Sequence, residues 1–176
     1  KERGMRGEAC EAPVETCLIF GGGADFYLEN GLGRKIDQQE ALRIVEKGKE
    51  AGLVLQPSNA QKPVAMCMCC GCCCQILRNV KRMDKPSQMV HSNFQAGVDP
   101  EACTGCGVCE GLCPMQAITV SQTAEVDLDR CIGCGVCVKG CEFEALHLAP
   151  GESVYEPPRN VVETYMNMAK ERMADA

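Results

Sequence analysis

Apolar positions recur at helical spacing after Asp37, and the pattern then switches to short apolar runs. Ala41, Leu42, Ile44, Val45 and Ala51 line one face of a helix. Asp37 offers a capping oxygen and Glu40 stands three residues on, the spacing of a reciprocal cap. Gly52 is the expected stop. Leu53-Val54-Leu55 reads as a short buried strand, and Pro57 and Pro63 bracket a loop. Ile76, Leu77 and Val80 predict a short helix whose charged side is Arg78, Lys81 and Arg82, ended by Pro86. Ala117-Ile118-Thr119-Val120 and Ala145-Leu146-His147-Leu148 predict two short strands. After Pro157-Pro158, Val161, Val162, Tyr165, Met168, Ala169 and Met173 share one broad face of a helix from about Asn160 to Met173, expected to dock onto its own domain. Near the start, Cys17-Leu18-Ile19-Phe20 runs into Gly21-Gly22-Gly23-Ala24-Asp25. That stretch reads as a flexible turn, because neither dinucleotide nor phosphate-loop spacing surrounds it.

Cysteine spacing changes this picture more than any apolar pattern does. Cys103, Cys106, Cys109 and Cys113 form C-x2-C-x2-C-x3-C, followed by Pro114. Cys131, Cys134, Cys137 and Cys141 repeat it 28 positions later. The repeat extends beyond the cysteines: Asp99 aligns with Asp127, Gly105 with Gly133, Gly107 with Gly135 and Val108 with Val136. Each half reads as strand, cysteine loop, short helix, strand. An iron–sulfur cube needs four soft thiolates converging from different directions; three on one tight loop and a fourth from elsewhere meet that need. Zinc accepts C-x2-C pairs, but its ribbons need two separated pairs rather than three cysteines per loop. The glycines let backbone N–H groups approach sulfur without a Cβ in the way.

Composition narrows the class. The chain has 176 residues, 16 cysteines, no Trp and only 4% aromatic residues. So few large side chains cannot build a large ordinary core, and something else must organise the fold. Disulfides fit badly, since the loops are tight and no secretion signal is visible; metal fits well. Lys1 in place of Met fits a fragment, a processed product or a segment of a longer protein. The net charge of −6 argues against nucleic acid and anionic membranes. It suits a partner with a basic docking patch, or simple solubility. No apolar run is long enough to span a membrane directly.

The two runs resemble the dicluster domain of bacterial 2[4Fe–4S] ferredoxins. The resemblance implies a pseudo-two-fold α+β core and two [4Fe–4S] clusters with crossed ligation. Cys103, Cys106, Cys109 and Cys141 would hold the first; Cys131, Cys134, Cys137 and Cys113 the second. One departure stands out: the second run ends Cys141-Glu142 where the family has Cys-Pro. The carboxylate is expected to lower the first cluster's potential, unless it only faces water.

Eight further cysteines lie outside the repeat: Cys10, Cys17, Cys67, Cys69, Cys70, Cys72, Cys73 and Cys74. Eight would satisfy two more cubes, but adjacent cysteines rarely all aim at one metal. A subset is expected to hold at least one further cluster, bringing one or two additional clusters in all, with Cys10 and Cys17 as candidate contributors. This region is similar to larger ferredoxin-like proteins of anaerobic bacteria. Buried inert thiols, zinc or copper storage, and a catalytic cluster around Cys69-Cys70 of the heterodisulfide reductase type are the alternatives. The second Cys-Cys pattern of those enzymes is missing. Met66 and Met68 are expected to shield the site from water. His91 and His147 read as packing or surface residues, and no catalytic triad or paired-carboxylate site stands out.

The expected protein is α+β. It has a Cys-rich region at 1–94, a ferredoxin-like dicluster core at 95–150, and a linker with a C-terminal helix at 151–176. The expected function is single-electron relay in the cytoplasm, as a subunit or domain of a larger anaerobic oxidoreductase complex with redox protein partners. A soluble shuttle, or a disulfide/thiol oxidoreductase using Cys67–Cys74, are the other readings.

Overall fold

The computed structural model describes Gly7, residues 10–151 and residues 154–174. Strand β1 (Cys17–Ile19) leads into helix α1 (Gly22–Glu29), then helix α2 (Gln38–Glu50), β2 (Val54–Pro57) and β3 (Ala65–Cys69). Helix α3 (Gln75–Lys81) and a 3-10 turn (Pro86–Met89) precede β4 (Phe94–Val98) and α4 (Val108–Leu112). The hairpin β5 (Ile118–Val120) and β6 (Ala124–Val126) leads to α5 (Val136–Lys139), β7 (Leu146–Pro150) and α6 (Val161–Ala174). Mixed helices and small sheets make this α+β. Among the described residues, no helix is long and apolar enough to cross a membrane.

Local chemistry explains several of these elements. Asp37 accepts from the Glu40 amide at 2.7 Å, which caps α2 as its sequence predicts. Gly52 follows its end with φ +66°, the left-handed conformation that ends helices. Ala41, Ile44 and Val45 pack against Leu18, Leu53 and the fully buried Met68. Leu42 and Ala51 of the expected apolar face are exposed instead.

Three antiparallel strands form the first sheet, in the order β1-β3-β2. Two antiparallel pairs form the rest. Strand β4 pairs with β7, and β5 with β6. A second cluster of buried side chains joins both regions: Val54, Leu77 and Val80 meet Met115, Ala117, Ile132 and Val136. A third lies inside the cysteine repeat, from Ala96, Cys109, Ile118, Ala124, Cys137 and Leu146.

Arg130 ties the two regions together. Its Nε donates to the Met115 carbonyl at 3.0 Å, Nη2 to Lys81 at 2.9 Å and Nη1 to Met83 at 3.5 Å. Arg130→Met keeps the stem but leaves these carbonyls without their donor. Each buried group so orphaned costs about 1–3 kcal/mol, and water refills some of the half-buried cage. Denaturant melts of the metal-loaded chain should show a net loss of about 2–4 kcal/mol.

Four expectations need correction. Gly22 and Gly23 open helix α1 rather than extending a flexible turn; Gly21 alone takes a left-handed φ of +57°. Pro86 does not stop α3, which ends at Lys81; it starts the following 3-10 turn, where its missing N–H costs nothing. Met68 packs with Leu18 and Leu53, and a Cβ on Gly48 of α2 would lie 2.8 Å from its sulfur, so it fills a core, with Cys70 the thiol that packs against that core. Helix α6 does not bury its broad apolar face. It is pinned at its start, where Gln61 N–H reaches Pro158 and the Thr164 hydroxyl reaches Asn59, while Val162, Tyr165, Met168 and Met173 stay exposed.

Candidate metal centres

The cysteine loops are shaped by glycines and short helices. Gly107 and Gly135 take left-handed φ values of +79° and +72° and turn the chain into α4 and α5. Gly105 and Gly133 are also left-handed, at +68° and +63°. A Cβ on Gly105 would strike the Gln122 carbonyl oxygen, and one on Gly133 the Phe94 carbonyl oxygen. These two glycines therefore make room for neighbouring backbone rather than for sulfur alone.

Two cavities result. One is lined by Cys103, Cys106, Cys109 and Cys141. The other is lined by Cys113, Cys131, Cys134 and Cys137. Each takes three thiols from one run and the fourth from the other. Backbone donors already point at the sulfurs. Ala124 N–H reaches Cys103 Sγ at 3.4 Å, Ala96 N–H reaches Cys131 Sγ at 3.4 Å, and Ala117 N–H reaches Cys113 Sγ at 3.2 Å. Such bonds favour the thiolate that binds metal.

Burial opposes ionisation in the metal-free chain. It pushes the Cys137 thiol up to about 12, with the neighbouring Cys134, Cys113 and Cys131 adding to the effect. Burial also raises Cys134 and Cys109. Buried thiols such as Cys137 and Cys134, held in the neutral form beside an apolar cavity, suit a group that brings its own positive charge and displaces the protons. The donor set is all sulfur, which suits iron–sulfur clusters.

The other eight cysteines gather at the first sheet. Cys17 lies directly opposite Cys67 across β1 and β3. Cys69 ends β3, and Cys74 is the residue before α3. Cys10, Cys70, Cys72 and Cys73 bring all four sulfurs within 4.8 Å of one another. Cys72 and Cys73 are 3.6 Å apart, while the other cysteines of the 67–74 stretch lie elsewhere, Cys70 excepted. The tight turn after β3 is what swings both to one side. Burial raises Cys67 and pushes Cys69 up to about 12, each with a thiol neighbour, Cys17 for the first and Cys74 for the second.

His147 is exposed on β7, and His91 stacks on Tyr155 with ring centroids 4.0 Å apart, so each histidine has a surface or packing role. One residue escaped the sequence reading. The side-chain amide nitrogen of Gln56 is buried and has no hydrogen-bond partner. Only its place opposite Cys67, across β2 and β3, ties it to the thiols, and strand register is not visible in a single sequence.

No curated protein matches the chain. Residues 95–142 match the family model of the 4Fe-4S dicluster domain, a segment holding all eight cavity-lining cysteines. With that match laid over the two thiol-lined cavities, this chain carries a 4Fe–4S ferredoxin-type domain.

Proposed function

We propose that this chain relays single electrons through two [4Fe–4S] clusters within residues 95–150. Cys103, Cys106, Cys109 and Cys141 hold the first; Cys131, Cys134, Cys137 and Cys113 hold the second. The crossing of the fourth thiols between the two cavities carries this reading.

A pseudo-two-fold relation between the halves supports it. Ala96 donates to Cys131 and Ala124 to Cys103. Asp99 N–H donates to Ala145 and Asp127 N–H to Ala117, both at 2.8 Å. Each pair is one contact repeated with the halves exchanged. Gln116 and Glu144 repeat another feature, being the non-glycine residues with positive φ among those described.

A cluster in each cavity supplies a one-electron couple. The chain's residues fix its sulfurs, exclude water with Ile118, Leu146 and Met115, and set potential through N–H···S bonds and nearby charge. Glu142 is exposed and adjacent to Cys141. Glu142→Gln should raise the midpoint of the Cys141-bound centre by roughly 10–40 mV in a spectroelectrochemical titration, the scale of a solvent-screened charge.

The cysteine-rich segment from Cys67 to Cys74, with Cys10 and Cys17, adds further metal. Residues 1–94 then form a Cys-rich extension, and 151–176 a linker and helix. The exposed apolar residues of α6 support a place in a larger assembly, with this chain as the electron-transfer component of a cytoplasmic oxidoreductase. Sixteen cysteines need a reducing compartment.

Anaerobic purification with iron and acid-labile sulfide analysis tests the reading. At least eight irons, matched by sulfide and reducible one electron per centre by electron paramagnetic resonance, is the expected result. Colourless protein holding only zinc would end it.

A further inference from the structure

The eight thiols outside the ferredoxin repeat divide into two sets, and strand alternation divides them. Side chains on β3 point alternately to its two faces. Met66 and Met68 face α2 and its core. Cys67 and Cys69 therefore face the other way. Residues opposite each other in antiparallel strands share a face. That puts Cys17 beside Cys67, Val54 beside Cys69, and Gln56 beside Cys67. Cys74 completes this inner set from the entrance of α3, where it packs with Cys69 on one cluster of buried side chains. The turn that follows β3 sends Cys70, Cys72 and Cys73 to Cys10 instead.

The two sets differ in spacing. Four thiolates on one tetrahedral ion, with metal–sulfur bonds of about 2.3 Å, stand roughly 3.8 Å apart. A cube, whose thiolates sit on four separate irons, holds them further apart. In the outer set all sulfurs lie within 4.8 Å, and Cys10–Cys70 and Cys72–Cys73 are both 3.6 Å. The inner set does not meet that limit. It has a different signature: the orphaned, buried amide nitrogen of Gln56 on its face. Cluster sulfur is an acceptor for such a donor.

Position links the inner set to the ferredoxin domain. Cys69 and Cys74 pack on the same buried side chains as Cys113, Cys131 and Cys134. Gly71 abuts Pro114, the residue after Cys113, so closely that a Cβ on Gly71 would come within 2.9 Å of the proline ring.

We propose that these eight cysteines build two separate centres. Cys10, Cys70, Cys72 and Cys73 bind one divalent ion, zinc or iron(II), in tetrahedral thiolate coordination. Cys17, Cys67, Cys69 and Cys74 bind an iron–sulfur cluster whose sulfur accepts from Gln56. The inner centre's role as the neighbour of the second ferredoxin cluster rests on the electron-relay reading; the partition of the thiols does not.

Two double variants of the full chain, purified without oxygen, test this by iron, zinc and sulfide analysis. Cys72→Ala/Cys73→Ala should lose about one metal ion per chain and no sulfide, and the identity of that ion decides between zinc and iron(II). Cys67→Ala/Cys69→Ala should lose iron and sulfide together and keep the outer ion. Loss of sulfide in the first variant, or emptying of both centres by either, overturns the partition. X-ray absorption and Mössbauer spectra of the unaltered chain provide a reading that does not depend on variant folding. An isolated ion with four sulfurs at about 2.3 Å is expected, and its absence overturns the outer site. Gln56→Leu should lower the potential of the inner centre alone; no shift removes Gln56 from the proposal. About eight irons with sulfide should persist in both double variants, and their absence would fault the ferredoxin reading rather than the partition.

Discussion

Cys113→Ala should remove the cluster of the second cysteine run and leave that of its own run in place. Cys113 directly follows α4 in its own cysteine run, yet its thiol lines the cavity of Cys131, Cys134 and Cys137. It also adds to the raised pKa of Cys134 and Cys137. The return of the chain after α4 explains this. Cys113 leaves the helix in an extended conformation, with φ −68° and ψ 113°, and Ala117 N–H holds its sulfur at 3.2 Å. That turn aims the side chain away from Cys103, Cys106 and Cys109.

Paired variants make the outcome sharp. Under crossed ligation, Cys113→Ala and Cys134→Ala strike the same cluster, so the double variant loses about four irons, as each single variant does. Cys113→Ala with Cys106→Ala strikes both and loses about eight. Uncrossed ligation reverses the two results. Iron and sulfide analysis of anaerobically prepared protein reads the difference, and paramagnetic resonance identifies which signal survives.

How much of this was legible in the sequence depended on the range of the interactions involved. The ferredoxin domain was legible because its ligands sit at fixed spacings and its repeat is local. The cap at Asp37 and the stop at Gly52 were legible for the same reason, each resting on contacts within a few residues. Of the first sheet only β2 was, as the apolar run Leu53-Val54-Leu55. Strand β3, Ala65–Cys69, alternates Met and Cys, and thiols are neither clearly apolar nor clearly polar, so no period-two signal appears. Its partner β1 is three residues long and contributes Cys17 through register alone. The division of eight thiols into two sets follows from that register and from the turn at Cys70–Cys73, which depend on residues more than 40 positions away. The apolar face of α6 was legible as a face; whether it docks depends on what surrounds it, and the chain leaves it exposed.

Stripping the metal should unfold residues 95–150. The reason lies in what the core lacks. Phe20, Phe26, Phe94 and Phe143 are all exposed, and there is no Trp. The buried positions around the two cavities, cysteines aside, are four alanines, Ala96, Ala117, Ala124 and Ala145, with Met115, Ile118, Ile132 and Leu146. The four alanines contribute little apolar area to hold the thiol loops together in the cluster's absence. A domain typically keeps only about 5–15 kcal/mol of net stability. Structural metal in small thiolate sites contributes on the order of 10–16 kcal/mol, so its loss exceeds what the remaining core can supply.

The loss should also follow pH in a stated direction. Metal binding must displace protons from thiols that burial holds in the neutral form, Cys137 at about 12 among them. Acid therefore competes with metal for the same sulfurs, and occupancy should fall as pH falls. Chelator-treated chain, followed by circular dichroism, should lose its cooperative transition for this region. Helix α2 keeps its own cap and its packing on Leu18, Leu53 and Met68, so part of the helical signal should remain. A stripped chain melting cooperatively within about 5 °C of the loaded one would mean that the alanine-lined cavities close on their own. The clusters would then be guests of the fold, and the cysteine runs would owe their place in it to electron transfer alone.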